Sequence, residues 1–563
     1  MVNVKNKVTG DLLLLANGLV FFVFLNILAS SYFFRLDLTE EKKYTIKEPT
    51  RNLLRNLDDV VFVEVYLEGD LNAGFRRLQK SLREILEEFR IYSDNKVRFV
   101  FTDPATAMSA KARNEFMSEL ASKGINAVNV VEGTDGDRSQ KIVFPGALIS
   151  YGGIENGVML LKGSRSTQNS QEVLNQSIEG LEFELANAIN KLVNSERKRV
   201  GFLLGHGELD SLQRAGLNNA LLDQYDVFKI DIRRKAFIDP DYSAIIIAKP
   251  TKKFSATDKY KIDQYLMQGG KLLMLVDHLD AVMDSASRND YFAFPIDTEL
   301  DDLLFRYGIR INNDLIQDRV SGKYPVITGM AGNQPQWMQM EWPFYPLINQ
   351  YANHPMTRNL DATLMRFVSS MDTVKAEGVK KTPLMFTSDY TRKVVSPVKV
   401  GVNDFRAPSD PAQFRGGKMP FAYLLEGSFT SLYKNRFLPQ GIDSTTFKEK
   451  SEATKMIVIS DGDVARNEVN LRTGQPLPLG NDPLSDYTYA NQDLLLNMLA
   501  YLAEEDGLIE TRSKEIKIRP LDKEKIKQEK TFWQVINVVS PLIILTLFGL
   551  ARGYVRKRKY TRF

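Results

Sequence analysis

One histidine and two carboxylates fall within six residues, at Gly205-His206-Gly207-Glu208-Leu209-Asp210. An imidazole beside carboxylates can serve acid/base catalysis, part of a metal site, or a turn that orients a polar ligand. The two glycines permit tight turning and a close backbone approach. The spacing approaches the dinucleotide fingerprint G-x-G-x-x-G, but Asp210 stands where the third glycine belongs, which argues against a dinucleotide. A catalytic metal generally takes three protein ligands in a fixed cluster. The other histidines, His278 and His354, lie in no metal-ligand spacing, so neither a metal nor another cofactor is expected.

A second polar motif, Asp461-Gly462-Asp463, follows an apolar strand-like run. Two carboxylates there could hold a cation or accept hydrogen bonds from a sugar; a tight turn with an Asp cap is the alternative. Trp337, Met338, Met340, Trp342, Phe344 and Tyr345 cluster between prolines. They read either as a surface for a partner or a stacked saccharide, or as aromatics packed over a core edge. No P-loop is present, because Gly416-Gly417-Lys418 runs into Met419 without the Ser/Thr that magnesium needs. The absence of cysteine removes disulfides, thiolate metal sites and any cysteine nucleophile. The residues leave open ligand binding, hydrolytic catalysis by His206 and Glu208, and a scaffold role through the aromatic cluster around Trp337.

The elements that must position these residues alternate. Val60 to Leu67 reads as a strand, Phe75 to Phe89 as a helix and Lys96 to Phe101 as a strand, giving a β-α-β unit. A helical stretch near Ala107 to Ser122, short strands at Ala127 to Val131, Ala147 to Tyr151 and Val158 to Leu161, and a helix through Leu174, Ile178, Leu181, Leu185 and Ile189 follow. That order is thioredoxin-like without the redox Cys-x-x-C. From Lys198 onward, strands at Val200 to Leu204, Val227 to Ile232, Ala244 to Ala248 and Lys271 to Val276 alternate with helices, which predicts a doubly wound parallel sheet. The pattern blurs between about 285 and 450, an expected insertion, and returns with the strand Met456 to Ser460.

The 563 residues are 43% hydrophobic and 26% charged, a folded composition too long for one ordinary core. Leu12 to Phe34 carries no charge and Phe532 to Ala551 is apolar, so each is expected to cross a membrane. Arg552, Arg556, Lys557, Arg558, Lys559 and Arg562 form a tail without acidic side chains, which places both termini in the cytoplasm by the positive-inside rule. Without those six residues the chain has fewer basic than acidic groups, and no basic stripe with interleaved aromatics suggests nucleic acid. The expected organisation is a cytoplasmic N-terminus at 1–11, a span at 12–34, a thioredoxin-like domain at 35–195 and a second α/β domain at 196–510. A linker at 511–531, a span at 532–551 and the basic cytoplasmic tail at 552–563 complete it.

Four segments resemble one family. They are Leu36-Asp37-Leu38-Thr39-Glu40-Glu41-Lys42-Lys43-Tyr44-Thr45, Phe144-Pro145-Gly146-Ala147, Gly205-His206-Gly207-Glu208 and Arg519-Pro520-Leu521-Asp522. Together they are similar to the GldG family, the auxiliary, so-called substrate-binding component of an ABC transporter associated with gliding motility. The resemblance implies an inner-membrane protein of Bacteroidetes-type cells with a periplasmic ectodomain, partnered by a separate permease and ATP-binding subunit. It further implies a GIFT-type second domain, similar to intraflagellar transport proteins and to flavodoxin/amidotransferase-like folds. A saccharide or another envelope molecule is the implied ligand, with Gly205, His206, Gly207, Glu208, Asp461 and Asp463 as ligand-binding candidates and Trp337, Trp342, Phe344 and Tyr345 as partner-surface candidates.

Overall fold

The computed structural model describes residues 4–31, 45–104, 110–132, 139–161, 170–194, 196–283, 291–332, 334–401, 410–442, 444–470, 472–483, 485, 487–504, 507–513 and 523–560. The chain divides into two compact units, Met1–Lys514 and Glu515–Phe563.

The first unit opens with α1 (Val4–Ser31) and α2 (Glu48–Arg55), followed by β1 (Val61–Val65), α3 (Ala73–Tyr92) and β2 (Val97–Phe101). Then come α4 (Ala110–Ser122), β3 (Val128–Glu132), β4 (Ser139–Val143), β5 (Gly146–Tyr151), β6 (Ile154–Met159) and α5 (Ser170–Val193). Four strands make a sheet in the order β2-β1-β5-β6. β1 runs parallel to β2, and β5 runs antiparallel to both of its neighbours. Asn72 caps α3 by accepting from the Phe75 amide, and Phe75, Leu78, Leu82, Leu86 and Phe89 form its buried stripe. On α5 the residues Leu174, Ile178, Leu181, Leu185 and Ile189 are buried, as their spacing predicts. Glu182 of α5 accepts from the Lys47 amide and the Thr50 hydroxyl at 2.6 and 3.0 Å, which ties the start of α2 down. At the start of β5, a Cβ on Gly146 would stand 2.4 Å from Ile125 Cγ2, so the strand can close on Ile125 only with glycine there. The pair β3–β4 is antiparallel and separate from the sheet.

The second sheet contains β7 (Lys198–Leu204), β8 (Tyr225–Asp231), β9 (Tyr242–Ala248) and β10 (Leu272–Leu275), joined through α6 (Ala215–Leu222) and α7 (Ala256–Met267). It is built around strands apolar on both faces, with the partly exposed β8 at its edge. Along β9, Ala244, Ile246 and Ala248 enter one core with α6, whereas Ile245 and Ile247 enter the other with α7. A strand sandwiched in this way reads as a continuous apolar run. Ser255 starts α7 by accepting from the Asp258 amide, and Gly269 at φ +95° ends it.

The stretch expected as an insertion contributes strands to this same sheet. It contains α8 (Asp301–Tyr307), the hairpin β11 (Ser321–Ala331) and β12 (Gln334–Ile348), then β13 (Gln350–Tyr351), β14 (Val379–Phe386) and β15 (Pro420–Thr430). β16 (Lys450–Ile459) and α9 (Asn491–Ala503) follow. The order across the eight strands is β13-β14-β15-β16-β10-β9-β7-β8. The five from β16 to β8 are parallel, and β13, β14 and β15 extend that sheet as an antiparallel edge. In chain order the five parallel strands stand 2-1-3-4-5, with the reversal between β7 and β9.

The second unit is α10 (Lys523–Tyr560). Its segment Glu529–Arg558 is apolar and long enough to cross a membrane, the one such helix among the described residues. Leu542, Ile543, Ile544 and Leu545 are all exposed on it. In α1 the apolar run is Leu12–Asn26, which is shorter. Residues 36–44 and 519–522, which carry part of the family resemblance, lie outside the described residues.

Candidate functional site

The chain order reverses at β7, which has β8 on one side and β9 on the other. In open α/β sheets, ligands bind at the carboxyl ends of the strands beside such a reversal. Gly205-His206-Gly207-Glu208 leaves β7 at that point, with Gly205 at φ +129° and Gly207 at φ +75°. The segment after β9 is stitched onto this turn. The amides of Thr251 and Lys252 both donate to the His206 carbonyl at 2.9 and 2.8 Å, and the Thr251 hydroxyl donates to the Gly207 carbonyl at 3.0 Å.

His206 is buried and its ring stacks on Phe254, with centroids 3.7 Å apart and planes 14° from parallel. Its Nε2 lies 3.3 Å from Asp258 Oδ2, and its Nδ1 lies 3.7 Å from Glu208 Oε1. The other Glu208 oxygen accepts from the His206 amide at 2.7 Å. Asp258 in turn accepts from Lys261 Nζ at 2.9 Å and from the Ser255 hydroxyl at 2.8 Å. Burial pushes the Asp258 carboxyl up, but Lys261 and Ser255 outweigh it and hold the group below the ordinary carboxylate range.

A second charged cluster caps β9, β10 and β16 on the same edge. Lys249 directly follows β9 at φ +53°, a left-handed conformation that costs a non-glycine residue strain. Its buried ammonium bridges Asp277 at 2.7 Å and Asp463 at 2.6 Å. Asp461 accepts from the amides of Asp463 and Val464 with one oxygen, at 2.8 and 3.2 Å, and from the Arg366 amide with the other, at 2.7 Å. The Gly462 amide donates to Asp277. A Cβ on Gly462 would lie 2.6 Å from Lys249 Cβ, so glycine there lets the two loops close. Burial raises the pKa of Asp277 and, with the neighbouring carboxylates, that of Asp461. On Asp463, burial is outweighed by Lys249 and Arg366, which hold it low, and the two carboxylates together keep Lys249 above its ordinary value against the effect of its burial.

Both polar motifs singled out in the sequence therefore meet on one sheet edge. Arg214, Lys249, Phe254, Asp258, Asp277 and Arg366 complete it and escaped the sequence reading. Lys249 and Asp277 had a signal, since each is a charge placed at the end of an apolar strand run. The partner surface expected at Trp342, Phe344 and Tyr345 is corrected: these three rings are buried with Leu279, Leu315, Phe367 and Val398. They belong to the base of β12, where packing satisfies them, while Met338 farther along that strand is exposed. The side chain of Trp337 lies outside the described residues.

The Ser255 hydroxyl donates to Asp258 instead of to His206, so the order nucleophile, base, orienting acid is not met there. Among the described residues no group of three or more His, Asp or Glu is placed to hold a metal ion.

An α/β fold whose polar groups gather at the switch edge, in a chain with a C-terminal helix long and apolar enough to cross a membrane, fits a membrane-associated protein. Residues 197–498 match the family described as ABC-type uncharacterized transport system, more than half of the chain, and the chain belongs to that family of transporter auxiliary components. Residues 40–150 match a domain of unknown function, DUF7088. An uncharacterized protein of Borreliella burgdorferi (strain ATCC 35210) is 24% identical over 578 residues, covering 99% of each chain. Among solved structures, the chain titled mmIFT52 N-terminal domain aligns at 14% identity and a TM-score of 0.31, over 55% of this chain and 98% of that one. At that score the likeness defines no shared fold.

Proposed function

We propose that this chain is a GldG-type, non-enzymatic accessory subunit of an ABC transporter. Its ectodomain faces the periplasm and recognises an envelope ligand at the carboxyl edge formed by Gly205–Glu208 and Asp461–Asp463. The observation that carries the reading is that edge: two buried charged clusters at a sheet reversal, within a chain of the transporter-auxiliary family. The strand order 2-1-3-4-5 supports a flavodoxin/amidotransferase-like, GIFT-type second domain. The order β2-β1-β5-β6, with β5 antiparallel, supports a thioredoxin-like first domain. Energy for transport comes from the separate ATP-binding subunit, consistent with a sequence that carries no P-loop. α10 and α1 pack against the permease, where Gln534, Asn537, Asn17 and Asn26 are available for interhelical hydrogen bonds.

The test is affinity purification of the full-length protein from its native membrane in mild detergent, followed by mass spectrometry. A permease and an ATP-binding subunit should accompany it in comparable amounts. Recovery of cell-wall or motility proteins in their place would transfer the weight to a scaffold, the role the buried Trp342 cluster argues against.

A further inference from the structure

The first sheet ends on an open edge. β6 pairs with β5 on one side, and among the described residues no strand lies on its other side. Just past β6, the Leu160 amide donates to the Pro145 carbonyl at 2.7 Å, and the direction of the bonds alternates along an antiparallel strand from there. Asn156 and Val158 therefore bond toward β5, and the N–H and C=O groups of Gly157 and Met159 point away from it. These outward groups recur every second residue, about 7 Å apart.

The open edge borders a cleft of about 350 Å³. Its walls are β6 and the residues after it from Asn156 to Leu161, one face of α5 through Glu184, Asn187 and Lys191, and Asp493 in the first turn of α9. The β6 wall is about 17 Å long by the rise of a strand. The α5 wall is about 10 Å long by the rise of a helix. The lining carries two carboxylates against one ammonium, so its excess charge is negative.

These features select the occupant. Outward backbone groups at a two-residue repeat are matched along their length by another extended backbone, which presents the same repeat, whereas a compact ion or a single sugar ring meets one pair. Folds that leave a strand edge bare commonly guard it with proline, lysine or a bulge. Ile154-Glu155-Asn156-Gly157-Val158-Met159 has neither residue, and its register with β5 is unbroken.

We infer that the edge of β6 is a docking site for an extended, basic peptide segment of a partner protein, which adds a fifth strand to the four of the first sheet. Its basic side chains answer Glu184 and Asp493. The site shares no residue with the carboxyl edge of the second sheet and does not rest on the reading of that edge.

The experiment is fluorescence polarisation of the full-length protein in detergent with labelled, N-acetylated pentapeptide pools that carry Val at alternate positions and Lys, Gln or Glu between them. The Lys pools should bind, and the Glu pools should bind more weakly by about tenfold or more, the effect of setting like charges together. In the tightest-binding peptide, N-methylation of one alternate set of residues should abolish binding, and methylation of the other set should change it by about twofold at most, since a strand edge reads every second amide. Met159→Pro removes an outward amide and no bond to β5, a place where a strand tolerates proline, so the thermal midpoint should stay close to that of wild type. Peptide affinity should nevertheless fall by about tenfold or more, from the lost donor and the ring in the path of the added strand. Asp493→Lys, at an exposed position, should turn the preference from the Lys pools to the Glu pools. Should Met159→Pro lower the midpoint, the N-methyl series and Asp493→Lys decide, because both leave the strand intact. No binding by any pool, equal loss from both methylated sets, or an unchanged preference in Asp493→Lys would each overturn the inference. So would a concentration-dependent dimer that Met159→Pro dissolves, which would give the edge to a second copy of this chain.

Discussion

At the scale of single residues the molecule concentrates its electrostatic risk in Lys249. An ammonium and two carboxylates removed from water are held together by mutual attraction, and replacing all of them with apolar groups could leave stability unchanged or improved. Removing one partner is different, because the others stay buried without it. Lys249→Met leaves Asp277 and Asp463 facing each other, and the expected loss is roughly 3–5 kcal/mol of unfolding free energy. Adding Asp463→Asn to Lys249→Met should return a large part of that loss. Denaturant titration of the two variants against wild type checks it, and a single variant as stable as wild type would show that the bridge carries no load. This residue also shows why site chemistry was only half legible. His206, Glu208, Asp461 and Asp463 announce themselves by clustering in sequence, whereas Asp258 lies far along the chain from His206, and Lys249 and Asp277 far from Asp463, so that each meets its partner only in the folded sheet.

At the scale of elements, turns decide whether the strand ends can meet. Gly207 sits at φ +75°, and an added Cβ would lie 2.2 Å from Thr251 Oγ1. Gly207→Ala therefore meets two separate penalties: about 1–2 kcal/mol for a left-handed alanine, and the clash that pushes the segment after β9 away from the His206 carbonyl. Thr251→Ala in the Gly207→Ala background should restore the clash component and leave the backbone component. Thermal midpoints of the two single variants and the double variant separate them, and full recovery in the double variant would refute the backbone contribution. The strands β7, β9, β10 and β16 were legible because burial on both faces writes a continuous apolar run. The hairpin β11–β12 and the strands β14 and β15 were not. Pro343 and Pro346 interrupt β12, Pro383 interrupts β14, and side chains in this region alternate between core and solvent at irregular register. Proline reads as a breaker in sequence, although an edge or bulged strand tolerates it. Irregular register likewise hid the aromatic core at Trp342 and Phe344, which the sequence alone left open between surface and packing.

At the scale of the whole molecule, the proposal turns on which side of the membrane the large unit occupies. The basic residues after Ala551 favour the cytoplasm for the C-terminus, and one crossing by α10 then places the preceding residues on the far side. The chain contains no cysteine, so single substitutions report accessibility without background. Phe237 and Val555 are 65% and 63% exposed, one in the large unit and the other within the basic end of α10. In spheroplasts, a membrane-impermeant maleimide should label Phe237→Cys at once and Val555→Cys only after the membrane is broken. A third variant, Val2→Cys, separates one crossing from two. Protection together with Val555→Cys means that α1 also crosses, as the uncharged run from Leu12 predicts, and labelling together with Phe237→Cys means that α10 is the single anchor. Labelling of Val555→Cys in sealed spheroplasts with Phe237→Cys protected would invert the topology. The carboxyl edge of β7 would then face the cytoplasm, and its ligand would have to be sought there.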